Sequence, residues 1–113
     1  MTLDEYQAAA RRTVNPGLSE RDRLLDAAAG LSEETGELLG LVRKQSFQSR
    51  EVPREKLIEE LGDVLWCVAI TAESLGVTLE DVGATNIAKL KTRHPQGFST
   101  NRTAADWSRT SRE

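Results

Sequence analysis

At 113 residues the chain has the length of one domain, and such a domain alone hides only a modest core. Apolar residues make up 38% and aromatics 4%, so the core must be Leu, Val, Ile and Ala, which suits packed helices better than a β-sandwich. The net charge of −3 excludes an overall basic field for nucleic acid, and the single cysteine, Cys67, excludes an intrachain disulfide.

The first helix is expected from Thr2, where Glu5 three residues on completes a capping box, to about Arg12, ahead of the turn cluster Asn15-Pro16-Gly17. A second runs from Ser19 to about Lys44, with Leu24, Ala28, Leu31, Leu38 and Val42 at helical spacing. The polar, aperiodic stretch Gln45 to Val52 reads as a loop. Pro53 suits the first turn of a third helix, which continues to Leu75 and closes at Gly76. Thr78 with Asp81 opens a fourth helix, ended by His94-Pro95. Strand alternation is absent. The expected fold is all-α, an antiparallel bundle of about four helices over residues 1–98, with an irregular tail over 99–113. Trp107 lies in that tail. The N-terminus lacks the basic and apolar regions of a signal peptide, and Val64 to Ala72 is too short to span a bilayer, so a cytoplasmic location without a membrane partner is expected.

Two acidic sets carry the chemistry. Helix two holds Glu33-Glu34-Thr35-Gly36-Glu37 and helix three holds Glu59-Glu60-Leu61-Gly62-Asp63. At about 100° per residue, the three acids of each set share one helix edge, and antiparallel helices can bring the two edges together. On helix three, Leu57, Leu61, Val64, Leu65, Val68 and Ala72 form the expected core stripe. A second stripe, Asp63, Trp66, Cys67 and Ile70, lies nearly opposite and must meet a further helix, another subunit or a ligand. Clustered carboxylates repel, and neither set is interleaved with Lys or Arg, so a divalent cation is the economical balance. An all-oxygen ligand set favours Mg²⁺ or Mn²⁺ over Zn²⁺, and the only histidine, His94, is not in the Glu-x-x-His pattern of di-iron bundles. The bland alternative is a pair of solvated acidic faces.

Asn86, Lys89 and Arg93 share one stripe of helix four. A basic helix end is favourable for its dipole alone, but beside a metal site these residues can clamp an anionic ligand, Arg93 in bidentate fashion. Lys44, on the acidic edge of helix two, is a further candidate. Trp66 can stack on a planar ligand or serve packing.

Glu33-Glu34-x-x-Glu37, a gap of 22 residues and then Glu60-x-x-Asp63 resembles the signature of the MazG-like nucleotide pyrophosphohydrolases, in the all-α NTP pyrophosphatase superfamily. Asn86-x-x-Lys89-Leu90-x-x-Arg93-His94-Pro95-x-Gly97-Phe98 is similar to the segment that follows that family's last core helix, with His94 where tyrosine is common. The resemblance covers residues 20 to 98. It implies a bundle completed by oligomerisation, as a homodimer or homotetramer, and Mg²⁺ held by Glu34, Glu37, Glu60 and Asp63. It implies cleavage of a nucleoside triphosphate between its α- and β-phosphates, with Glu33 auxiliary and Asn86, Lys89 and Arg93 on the nucleotide. Enzymes narrowed to dUTP, dCTP or phosphoribosyl-ATP share the superfamily, and a non-catalytic helical oligomerisation module is the rival of another class.

Overall fold

The computed structural model describes residues 1–98, so Trp107 and the expected tail lie outside the described residues. Four helices follow in order: α1 (Leu3–Arg11), α2 (Glu20–Phe47), α3 (Arg54–Ser74) and α4 (Leu79–Arg93). Among the described residues there is no strand, only an isolated bridge between Pro95 and Gly97, and the all-α class stands as expected. No single described helix is long and apolar enough to cross a membrane. The chain divides into two compact units, one of Met1–Leu79 and one beginning at Glu80.

The caps explain where the helices begin and end. The Thr2 hydroxyl accepts the Glu5 amide at 3.1 Å, and the Ser19 hydroxyl accepts the Asp22 amide at 3.1 Å, each satisfying a donor that the first turn leaves free. Helix α3 ends in a left-handed Gly76 at φ 74°, with the Val77 amide reaching the Ala72 carbonyl at 3.0 Å. Helix α2 overruns its expected end, taking Gln45, Ser46 and Phe47 from the expected loop. It stops where Ser49 takes φ 51° and the Gln48 and Arg50 amides both reach the Lys44 carbonyl, at 3.1 and 3.2 Å.

In the first unit, α2 and α3 run antiparallel. Ala27 shares a cluster with Ile70, a Cβ on Gly30 would stand 3.3 Å from the Cys67 sulfur, and Glu34 meets Glu60, so numbers fall on α3 as they rise on α2. Helix α1 lies antiparallel to α3. Gln7 reaches Ala69, Glu73 and Val77, Arg11 pairs with Glu73 at 3.0 Å, and the Trp66 indole donates to the Thr13 hydroxyl at 2.8 Å.

The core is made of small residues: Ala10, Ala27, Cys67, Ala69, Ile70, Ala72 and Leu79 are buried. This corrects the expected facing of α3. The stripe read as the core leaves Leu61 54% exposed, and of its members only Ala72 is buried. The second stripe points inward, with Cys67 and Ile70 buried and Trp66 half-buried against α1 and α2. Of the alternatives for that side, a further helix is the one observed. On α2, Ala28 and Val42 are exposed where the spacing placed them in the core, and Ala27 is buried instead.

In the second unit, α4 carries exposed Val82, Ile87 and Leu90. Gly97 is left-handed at φ 83°, and its amide reaches the His94 carbonyl at 3.1 Å, turning the chain back after the helix.

Candidate metal centre

The antiparallel pairing of α2 with α3 carries the acidic edges toward each other. Glu34 and Glu37 lie about one and two turns beyond Gly30 on α2, and Glu60 lies about two turns before Cys67 on α3. Because Gly30 sits against Cys67, the next turns of the two helices meet through these carboxylates. Glu34, Glu37 and Glu60 each offer an oxygen within 4.8 Å of the others.

The surroundings of these oxygens are poor for negative charge. Glu34 and Glu60 are half-buried, and each has one carboxylate oxygen, Oε2, shut away from solvent with no hydrogen-bond partner. Burial is the main reason that both carboxyls titrate above their ordinary value of 4.5. The charges of Glu37 and Asp63 push both further, and Glu60 adds to the shift at Glu34. A buried acceptor without a donor and a cluster of like charges are both relieved by one cation. The donor set is all oxygen, which suits a hard divalent ion.

Asp63 is exposed and stands outside the three-carboxylate group, though its charge reaches both Glu34 and Glu60. Glu33 is exposed beside the cluster. Glu59 forms a surface pair with Lys56 at 3.5 Å and is not a member of the group. Lys56 is the group that the sequence reading passed over. It stands one turn before Glu60 and draws that carboxyl's pKa down against the dominant upward effects. The signal was its i−4 spacing from Glu60. Beneath the carboxylates, Cys67 is buried, and burial together with Glu34, Asp63, Asp26 and Glu33 holds its thiol protonated, pushing its pKa above 9.0.

The other candidates fall in different places. Lys44 is exposed on α2, two turns beyond Glu37. Trp66 packs against Ala10, Ala27 and Ile70, so much of its ring serves the core. Asn86 and Lys89 are exposed and Arg93 half-buried on one face of α4, in the second unit.

Comparison with known proteins settles the family. The model of the MazG nucleotide pyrophosphohydrolase domain matches residues 24–98, most of the chain and all ten of the candidate residues. The chain belongs to this family. MazG proteins are generally metal-dependent, and the acidic group on α2 and α3 is where this member can hold an ion. The chain is similar to the Gene 37 protein of Mycobacterium phage L5, 36% identical over 105 residues that span 86% of this chain and 92% of the phage protein. It is also similar to the uncharacterized protein YvdC of Bacillus subtilis (strain 168), 40% identical over 72 residues, 56% of this chain and 68% of that one. No solved structure matches.

Proposed function

We propose that this MazG-family chain hydrolyses a nucleoside or deoxynucleoside triphosphate between the α- and β-phosphates, releasing a monophosphate and pyrophosphate. The observation that carries the reading is the meeting of Glu34, Glu37 and Glu60 with two buried, unpartnered oxygens among them. With Asp63 these residues would hold Mg²⁺, or Mn²⁺ in its place. The ion would supply a lowered pKa for the attacking water and neutralise phosphate oxygens. Glu33, exposed beside the cluster, would take a proton in this reading. Asn86, Lys89 and Arg93 are assigned to the nucleotide, with the two cations offsetting charge on the leaving pyrophosphate. Lys44 and Trp66 complete the substrate side.

The exposed apolar residues of α2 and α3 support a homo-oligomer, a dimer or a tetramer of paired dimers. The free thiol of Cys67 fits the reducing cytoplasm.

The deciding experiment is a panel of ribo- and deoxynucleoside triphosphates with Mg²⁺, following pyrophosphate against orthophosphate release. dUTP, dCTP and phosphoribosyl-ATP belong in the panel as the narrow-substrate cases. Pyrophosphate as first product is expected, and orthophosphate first would place the scissile bond elsewhere.

A further inference from the structure

We infer that Gly30 is a positioning residue that lets α2 and α3 approach closely enough for Glu34, Glu37 and Glu60 to close on an ion as small as Mg²⁺. The inference rests on the reading of these carboxylates as a metal centre.

A glycine inside a helix weakens it relative to alanine. Four stand inside α2 and α3: Gly30, Gly36, Gly40 and Gly62. A Cβ added to Gly36, Gly40 or Gly62 would meet nothing within 4 Å. A Cβ on Gly30 would stand 3.3 Å from the Cys67 sulfur. Carbon atoms pack best at about 3.5 to 4.0 Å and sulfur is larger, so a methyl here forces its surroundings to give by a few tenths of an ångström.

Cys67 has little room to give. It is 4% exposed, and Ala69 and Ile70, which follow it on α3, are 0% and 1% exposed. On α2, Ala27 is 1% exposed and shares a cluster with Ile70. A close-packed interior passes strain on rather than absorbing it. The end of the pair that yields is the less covered one, where Glu37 is exposed and Glu34 and Glu60 are half-buried. Glu34 lies four residues beyond Gly30, about 6 Å along α2, and Glu60 lies seven before Cys67, about 10 Å along α3. A shift made at the contact of Gly30 with Cys67 therefore reaches both carboxylates.

The tolerance at the carboxylates is small. Glu34, Glu37 and Glu60 offer oxygens within 4.8 Å of one another. Mg²⁺ demands near-octahedral bonds of about 2.0 to 2.1 Å, which puts facing oxygens about 4.2 Å apart and adjacent ones about 3 Å apart. Ca²⁺ bonds at about 2.3 to 2.6 Å in a looser geometry, so its facing oxygens stand about 4.6 to 5.2 Å apart. A group of this width closes inward on Mg²⁺ and takes Ca²⁺ nearly as it stands. A methyl that holds the helices apart at Gly30 opposes the closing.

Calorimetric titration of the full chain with Mg²⁺ and with Ca²⁺ tests this. Gly30→Ala is expected to raise the Mg²⁺ Kd about tenfold and the Ca²⁺ Kd by no more than about twofold. Gly40→Ala adds the same methyl into open space and should leave both constants within about twofold of the wild type. Gly30→Ala/Cys67→Ala removes the sulfur that the methyl meets, and should bind Mg²⁺ within about threefold of Cys67→Ala alone. A purely structural glycine would change the melting temperature and leave both constants alone, or weaken the two ions equally, and either result overturns the inference. So does a double variant that binds Mg²⁺ as weakly as Gly30→Ala. If the wild type binds neither ion, the reading of the metal centre fails and takes the inference with it. If the wild type and Gly30→Ala bind Mg²⁺ equally well, the inference alone is overturned. Should Gly30→Ala not fold, the double variant decides: it must fold and bind Mg²⁺ as Cys67→Ala does, and failure in either respect overturns the inference.

Discussion

At the scale of single residues, Glu34 and Glu60 each combine a buried, unpartnered oxygen with neighbours of the same charge. Such a carboxyl binds its proton more tightly in the folded chain than in the unfolded one. Its contribution to stability is therefore complete below the ordinary value of 4.5 and is lost as pH rises through the raised folded value. In the presence of a chelator, the melting temperature should fall with rising pH above 4.5 more steeply for the wild type than for Glu34→Gln/Glu60→Gln. Adding Mg²⁺ near neutral pH should raise the melting temperature of the wild type and not of the variant. Parallel pH curves for the two proteins would remove the electrostatic argument for a cation. Exposed Glu37 separates catalysis from folding. Glu37→Gln is expected to lower turnover by at least about 100-fold with its helical circular dichroism unchanged, and full activity would take Glu37 out of the centre. The spacing of the acids was readable because it fixes which carboxylates share a helix edge. The orphaned oxygens were not, because they depend on how deeply two helices interlock.

At the scale of the elements, four helices and their caps follow from local signals that act within one turn: Thr2, Ser19, Gly76 and the pair His94-Pro95. The facing of α3 does not follow from them. Both of its stripes are apolar, and periodicity cannot say which one turns inward. The choice is made by small residues and by α1. Ala27, Gly30, Ala69 and Ala72 allow close approach, and the Gln7 and Thr13 contacts bring α1 to the side of Ile70 and Trp66. Of these small residues only Ala72 lay in the expected core stripe, and Ala27, Gly30 and Ala69 do not stand out in a hydrophobic pattern. The end of α2 was misjudged for a related reason: polarity marked Gln45 as loop, whereas the chain turns only at Ser49. A non-glycine residue in the left-handed region is strained. Ser49→Gly should therefore stabilise the protein by about 0.5 kcal/mol, less than the full left-handed penalty because glycine is freer when unfolded. The change should appear as a small rise in melting temperature; a fall would mean that the serine side chain contributes more than its backbone costs.

At the scale of the whole molecule, the apolar surface left over is the feature to be explained. Leu25 and Leu39 on α2 are 65% and 63% exposed, and Ile58 and Leu61 on α3 are each 54% exposed. Along each helix these residues stand off the stripe that meets the partner helix, and half-buried Leu57 and Leu65 extend the set on α3. Scattered exposed leucines are ordinary, but if the chain self-associates as proposed, these residues on two paired helices are the surface that would be covered. The proposed partner is a second copy, and a standard interface covers about 800 Å² on each side. The wild type should therefore sediment as a dimer or larger assembly at micromolar concentration. Leu61→Glu, which places a charge in the stripe without touching the buried residues, should shift it toward the monomer. Because the acidic group is formed within one chain by α2 and α3, the monomer should keep its helices and its Mg²⁺-dependent rise in melting temperature. If the nucleotide contacts of α4 come from the neighbouring copy, the monomer should lose turnover while that thermal response remains. A variant that dissociates and still releases pyrophosphate at the wild-type rate would show that one chain completes the site. A wild type that is monomeric at every concentration would leave the two stripes to a partner of another kind.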